Sequence, residues 1–111
     1  MAQRLGKGFY QIDPAETLTF LIEGPDDPIV ALSGAVLPVQ EGSPFDVTPR
    51  MLNGEGAHHQ MRIALPFPDG EGSYKITISA GGSVLDTIPR TMPDDPDDNL
   101  ARVVLDIQVG S

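Results

Sequence analysis

From Ala57 to Phe67 apolar and polar side chains alternate almost without a break. His59, Met61, Ile63, Leu65 and Phe67 share one parity, and His58, Gln60, Arg62 and Ala64 share the other. A period of two puts each set on its own face of an extended strand, whereas a helix would scatter both sets around its axis. The same rule turns Tyr74, Ile76 and Ile78 inward against Lys75, Thr77 and Ser79. It turns Ala101, Val103, Leu105, Ile107 and Val109 inward against Arg102, Val104, Asp106 and Gln108. Half-buried strands of this kind make antiparallel sheets with one solvated face. No heptad, no solenoid-length repeat and no amphipathic helical run interrupts the pattern. The chain therefore reads as all-β.

The turns punctuate the same way, drawing on 12 glycines and 11 prolines in 111 residues. Gly81-Gly82 separates Ser73–Ala80 from Ser83–Ile88, and two adjacent glycines supply the positive φ angles that a type I′ hairpin needs. Pro68-Asp69-Gly70-Glu71-Gly72 joins the Ala57–Phe67 strand to the next. Pro89 to Asn99 reads as a long acidic loop. Gly8–Asp13 is expected as a short edge strand stopped by Pro14, Thr17–Glu23 as the next strand, and the apolar run Pro28–Ser33 as a central one. From Gly34 to Gly56 the prolines at 38, 44 and 49 each remove a ladder donor, so only short edge pieces such as Val36–Gln40 are expected. Seven to eight short strands in a chain of this length predict one domain, residues 1–111, folded as an antiparallel β-sandwich. Ser83–Ile88 and Leu100–Val109 compete to be its closing strand.

The stretch Leu65-Pro66-Phe67-Pro68-Asp69-Gly70-Glu71-Gly72-Ser73-Tyr74-Lys75-Ile76-Thr77-Ile78 resembles the E–F corner of bacterial immunoglobulin-like and fibronectin-III-like domains. There a strand ends, an Asp-Gly turn follows, and a Gly-x-Tyr strand begins. The resemblance implies an immunoglobulin-like sandwich in which the Tyr74 ring packs in the core and its hydroxyl bonds to backbone near the corner. Gly8–Asp13, Thr17–Glu23 and Pro28–Ser33 would then be the first three strands. The absence of tryptophan and cysteine departs from the antibody type. A fold family with so many roles implies no particular activity.

Composition removes whole classes of function. Without cysteine there is no disulfide scaffold, zinc ribbon, thiol nucleophile or ordinary iron–sulfur cluster. With 16 acids against 7 Lys plus Arg, the net charge of −9 repels nucleic-acid phosphate. No apolar run approaches the roughly 20 residues needed to cross a bilayer, so membrane insertion is not expected. Met1 to Gly24 lacks a signal-peptide apolar stretch, which points to the cytoplasm or to a module excised from an exported protein.

Among candidate sites, Asp94-Asp95-Pro96-Asp97-Asp98-Asn99 stands out, because Asp95, Asp97 and Asn99 place oxygen donors at the alternate positions that open a calcium loop. Leu100 stands where an EF-hand requires glycine, so any calcium site would be of a loop-tip kind, helped by Asp26 and Asp27. The alternative is a solvated acidic turn. If the loop binds calcium, millimolar calcium should raise the melting temperature, and alanine at both Asp95 and Asp97 should remove the rise; an unchanged unfolding curve would exclude it. His58 and His59 are neighbours on a strand, point to opposite faces and cannot chelate one metal together. His59 is expected to be satisfied by a backbone carbonyl at the strand end. No nucleophile elbow, Ser-x-x-Lys, phosphate loop or dinucleotide fingerprint occurs, so no enzyme is expected. Gly34 to Gly56, with Arg50-Met51-Leu52, is a further candidate for recognition. The resulting expectation is a non-enzymatic, cofactor-free binding or structural module meeting a protein partner through loops or an edge strand; the alternative is a calcium-binding sandwich.

Overall fold

A computed structural model describes residues 2–48, 58–68, 72–91 and 100–110. These residues form ten strands and no helix: β1 Gln3–Gly6, β2 Phe9–Ile12, β3 Leu18–Glu23, β4 Ile29–Leu32, β5 Ala35–Leu37, β6 Phe45–Val47, β7 His58–Pro66, β8 Ser73–Ala80, β9 Ser83–Thr91 and β10 Leu100–Val109. They assemble into a six-stranded sheet, β1-β2-β10-β7-β4-β5, and a four-stranded sheet, β6-β3-β8-β9. Described neighbours run antiparallel except β2 and β10, which lie parallel from Asp106↔Phe9 to Val109↔Ile12. One apolar cluster draws buried side chains from both sheets, and no described polar or charged residue other than tyrosine is buried with it. The architecture is thus all-β and sandwich-like.

The inward parity is borne out on the three longest patterns. Met61, Ile63 and Leu65 on β7, Tyr74, Ile76 and Ile78 on β8, and Ala101, Val103, Leu105, Ile107 and Val109 on β10 are all buried. Gly81 and Gly82 have φ of 58° and 83°, the two left-handed residues of a type I′ hairpin. A second hairpin of this kind joins β4 to β5 through Ser33 and Gly34, with φ of 50° and 88°.

Several expectations change. The described residues already form ten strands rather than seven or eight, because β1 and β6 are too short or too exposed to show alternation. β1 pairs with β2, so Gly8–Asp13 does not hold an edge strand. The competition for the closing strand dissolves: β9 ends the four-stranded sheet, while β10 lies inside the six-stranded one between β2 and β7. Strand β9 also continues through Pro89 to Thr91, so the loop starts later than Pro89. Proline is tolerated there because an edge strand has a side on which no ladder bond is needed.

Candidate functional site

Tyr74, near the start of β8, is buried and its hydroxyl bonds to backbone of two other segments. The Tyr74 hydroxyl is directed at the Pro66 carbonyl at the end of β7 and, at 3.0 Å, at the Asp26 carbonyl in the turn after β3. Its ring meets Phe67 edge-on at 5.1 Å. Because β7 and β8 belong to different sheets, one side chain ties the sheets and the 24–27 turn together. Desolvation by burial pushes the hydroxyl up to about 12, with the nearby acids Asp26, Asp27 and Glu41 adding to it. This is a structural element rather than a reactive one.

The acidic turn at Asp26-Asp27 is likewise committed to structure. The Asp27 carboxylate accepts the Glu41 N–H at 3.0 Å, and the Glu41 carboxylate accepts the Gly24 N–H at 3.3 Å. Those bonds lash the 24–27 turn to the 38–44 segment. Asp95, Asp97 and Asn99 lie outside the described residues, as does Arg50-Met51-Leu52. Among the described residues no group of three or more His, Asp or Glu is placed to hold a metal ion.

His59 finds a side chain and not the expected carbonyl: its Nδ1 sits 3.0 Å from the Ser33 hydroxyl of the β4–β5 turn. Its Nε2 is buried without a hydrogen-bond partner. The ring stands at the inward parity of β7 and is partly buried. The His58 side chain lies outside those described.

What sequence reasoning missed is on the outer face of the six-stranded sheet, the face expected to be polar. Register aligns Val36, Ala31, Arg62 and Val104 in one row across β5, β4, β7 and β10, with Ile29, Ala64 and Arg102 in the row beside it. Val36 is 71% exposed, Ile29 56% and Val104 51%. Between Ile29 and Val104 lies a shallow trough of about 300 Å³. Arg62 is laid along its own strand by a 2.9 Å bond from Nε to the Gln60 side-chain carbonyl. Scattered apolar residues on a surface are ordinary, but a contiguous cross-strand patch marks an interaction site. The signal was present: Val104 and Ile29 occupy positions where strict alternation calls for polar side chains. No family model matches the chain, and neither the curated proteins nor the solved structures compared with it gave a match, so its reading rests on the residues above.

Proposed function

We propose that the chain is a non-enzymatic, immunoglobulin-like binding module that meets a protein partner through the outer face of its six-stranded sheet. The observation that carries this is the row Val36–Ala31–Arg62–Val104 with Ile29 beside it, open to solvent on a face that a free-standing sandwich would make polar. The immunoglobulin-like part is supported by the Tyr74 corner, whose hydroxyl reaches the Pro66 carbonyl across the two sheets. The alternative, a calcium-binding sandwich using Asp95, Asp97 and Asn99, falls on residues outside those described.

A suitable partner presents an apolar ridge with an acidic group to meet Arg62. A second copy suits the face poorly, since each chain carries a net charge of −9. Val104→Glu and Ile29→Glu place a charge in the middle of the patch while altering an exposed position, so each should change stability by no more than about 0.5 kcal/mol. Retention of the partner from native-host extract on the immobilised chain should fall about tenfold or more, as for loss of a central apolar anchor. Undiminished retention by both variants, or no protein held by the unaltered chain, would sink the proposal.

A further inference from the structure

On one flank of the sandwich the edges β1 and β9 approach each other, and between them opens a cleft of about 480 Å³. That size falls within the roughly 300–1,000 Å³ range of small-molecule sites. Among the described residues, three of the six Lys plus Arg line it, Arg4, Lys7 and Arg90, and of the nine described acids Asp86 alone does. The described lining is thus net cationic in a chain whose net charge is −9.

Asp86 does not cancel the cations so much as position one of them. Its Oδ2 accepts the Tyr10 hydroxyl at 2.6 Å and Arg4 Nε at 3.0 Å, and its Oδ1 accepts the Thr87 N–H at 2.9 Å. Both carboxylate oxygens are thereby engaged. The anchor is firm because the Tyr10 side chain is only 1% exposed. The Arg4 bond is made through Nε, so it does not consume the two terminal amino groups of the guanidinium. The backbone assists. β9 skips a residue against β8 between the pairs Ile78↔Asp86 and Ser79↔Val84, and this bulge at Leu85 sets Asp86, Ile88 and Arg90 opposite the inward residues Ile78, Ile76 and Tyr74. Their side chains therefore turn toward the flank opening rather than the outer surface. Ile88, Val103 and Leu105 give the cleft apolar walls.

We infer that this cleft is a binding site for a small organic anion, its carboxylate or phosphate head held by Arg4, Lys7 and Arg90 and its apolar body resting on Ile88, Val103 and Leu105. The Asp86–Tyr10 pair acts as a positioning device that fixes the Arg4 fork before a ligand arrives, which suits planar oxyanion recognition. The site shares Val103 and Val104 with the outer-face trough but none of its charged residues, so substitutions of Lys7 and Arg90 test it apart from the proposed function.

Titration of the whole chain with inorganic phosphate and, separately, with propionate, both at fixed ionic strength against a chloride control, decides the matter by amide NMR. Saturable shifts centred on Gly8, Thr87 and Leu105 are expected from at least one anion, and the tighter anion identifies the head group. The double variant Lys7→Gln/Arg90→Gln should weaken that binding tenfold or more, whereas Arg62→Gln on the outer face should leave it unchanged. Shifts that grow linearly and match chloride, or saturable shifts that survive the double variant, overturn the inference and leave these charges as protection of an edge strand against aggregation. If the double variant does not fold, saturation by the unaltered chain decides alone.

Discussion

Gly24→Ala should be among the most damaging single-methyl additions this chain can receive, costing about 3 kcal/mol or more, at the upper end of what overpacking a core imposes. A Cβ built on Gly24 lies 2.6 Å from Tyr74 Cγ and nearer still to two other ring carbons. The ring has nowhere to go. It is 1% exposed, sits edge-on to Phe67 at 5.1 Å, and is pinned at its far end by the Pro66 and Asp26 carbonyls. Nor can the Gly24 backbone retreat freely, since its N–H is held by the Glu41 carboxylate. The requirement for glycine is one of space, because Gly24 has no positive φ.

Gly110→Ala is the informative contrast. The added methyl there meets chiefly the amide end of the Gln11 side chain, which can swing aside, so the cost should stay below about 1 kcal/mol. Urea denaturation of the two variants measures both. A double-mutant cycle isolates the cause: in a Tyr74→Leu background Gly24→Ala should lose most of its penalty, a coupling of about 1.5 kcal/mol or more. If the two substitutions simply add, the ring is not the obstacle and the corner is held some other way.

The parts of the fold legible in the sequence were those where local chemistry and tertiary context agree. The alternation along 59–67, 73–80 and 100–109 matched burial because both faces of those strands have fixed environments, core on one side and solvent on the other. Gly81-Gly82 was legible because only a few residues accept two consecutive left-handed angles. The equivalent turn at Ser33-Gly34 was not, since serine is no signal for φ of 50°; its hydroxyl reaches His59 Nδ1 and its N–H reaches the Gln60 carbonyl at 3.0 Å, bonds made with a strand distant in the chain. β1 was invisible because three of its four residues are exposed and its place is set by pairing with β2. The two surface features have the same origin. Arg4 and Asp86 are 82 residues apart, and Val36, Arg62 and Val104 fall into one row only through the order β5-β4-β7-β10. Strand order follows from the global packing of two sheets, and periodicity within single strands does not encode it.

Alkali should unfold this protein through its two tyrosines. Both are buried, and in both the ionised form is disfavoured. Desolvation pushes the Tyr10 hydroxyl far up, helped by its bond to the Asp86 carboxylate, whose negative charge would face a second one across 2.6 Å if the phenol ionised. Desolvation likewise raises Tyr74 from 10.0 to about 12. A folded-state value above the unfolded one favours folding below the unfolded value, and the advantage is lost as pH climbs toward the folded value. The stabilisation is therefore complete below pH 10 and drains away from pH 10 to about 12 for Tyr74, and further up for Tyr10. Each tyrosine that ionises only in the unfolded chain tilts the balance by about 1.4 kcal/mol per pH unit. By pH 12 the two groups together remove about 5 kcal/mol, enough to unfold a chain at the lower end of the typical range of about 5–15 kcal/mol. The readout is clean because the chain has two tyrosines and no tryptophan. Absorbance at the tyrosinate band should stay flat through the pH at which free tyrosine is half ionised, then rise for both rings together, at the same midpoint as the loss of β circular dichroism. Tyr10→Phe should halve the amplitude and keep that coincidence. A rise centred near pH 10 with the β signal intact would show that the rings titrate freely in the folded chain, and the burial of both hydroxyls, with the Asp86 and Pro66 bonds that depend on it, would have to be abandoned.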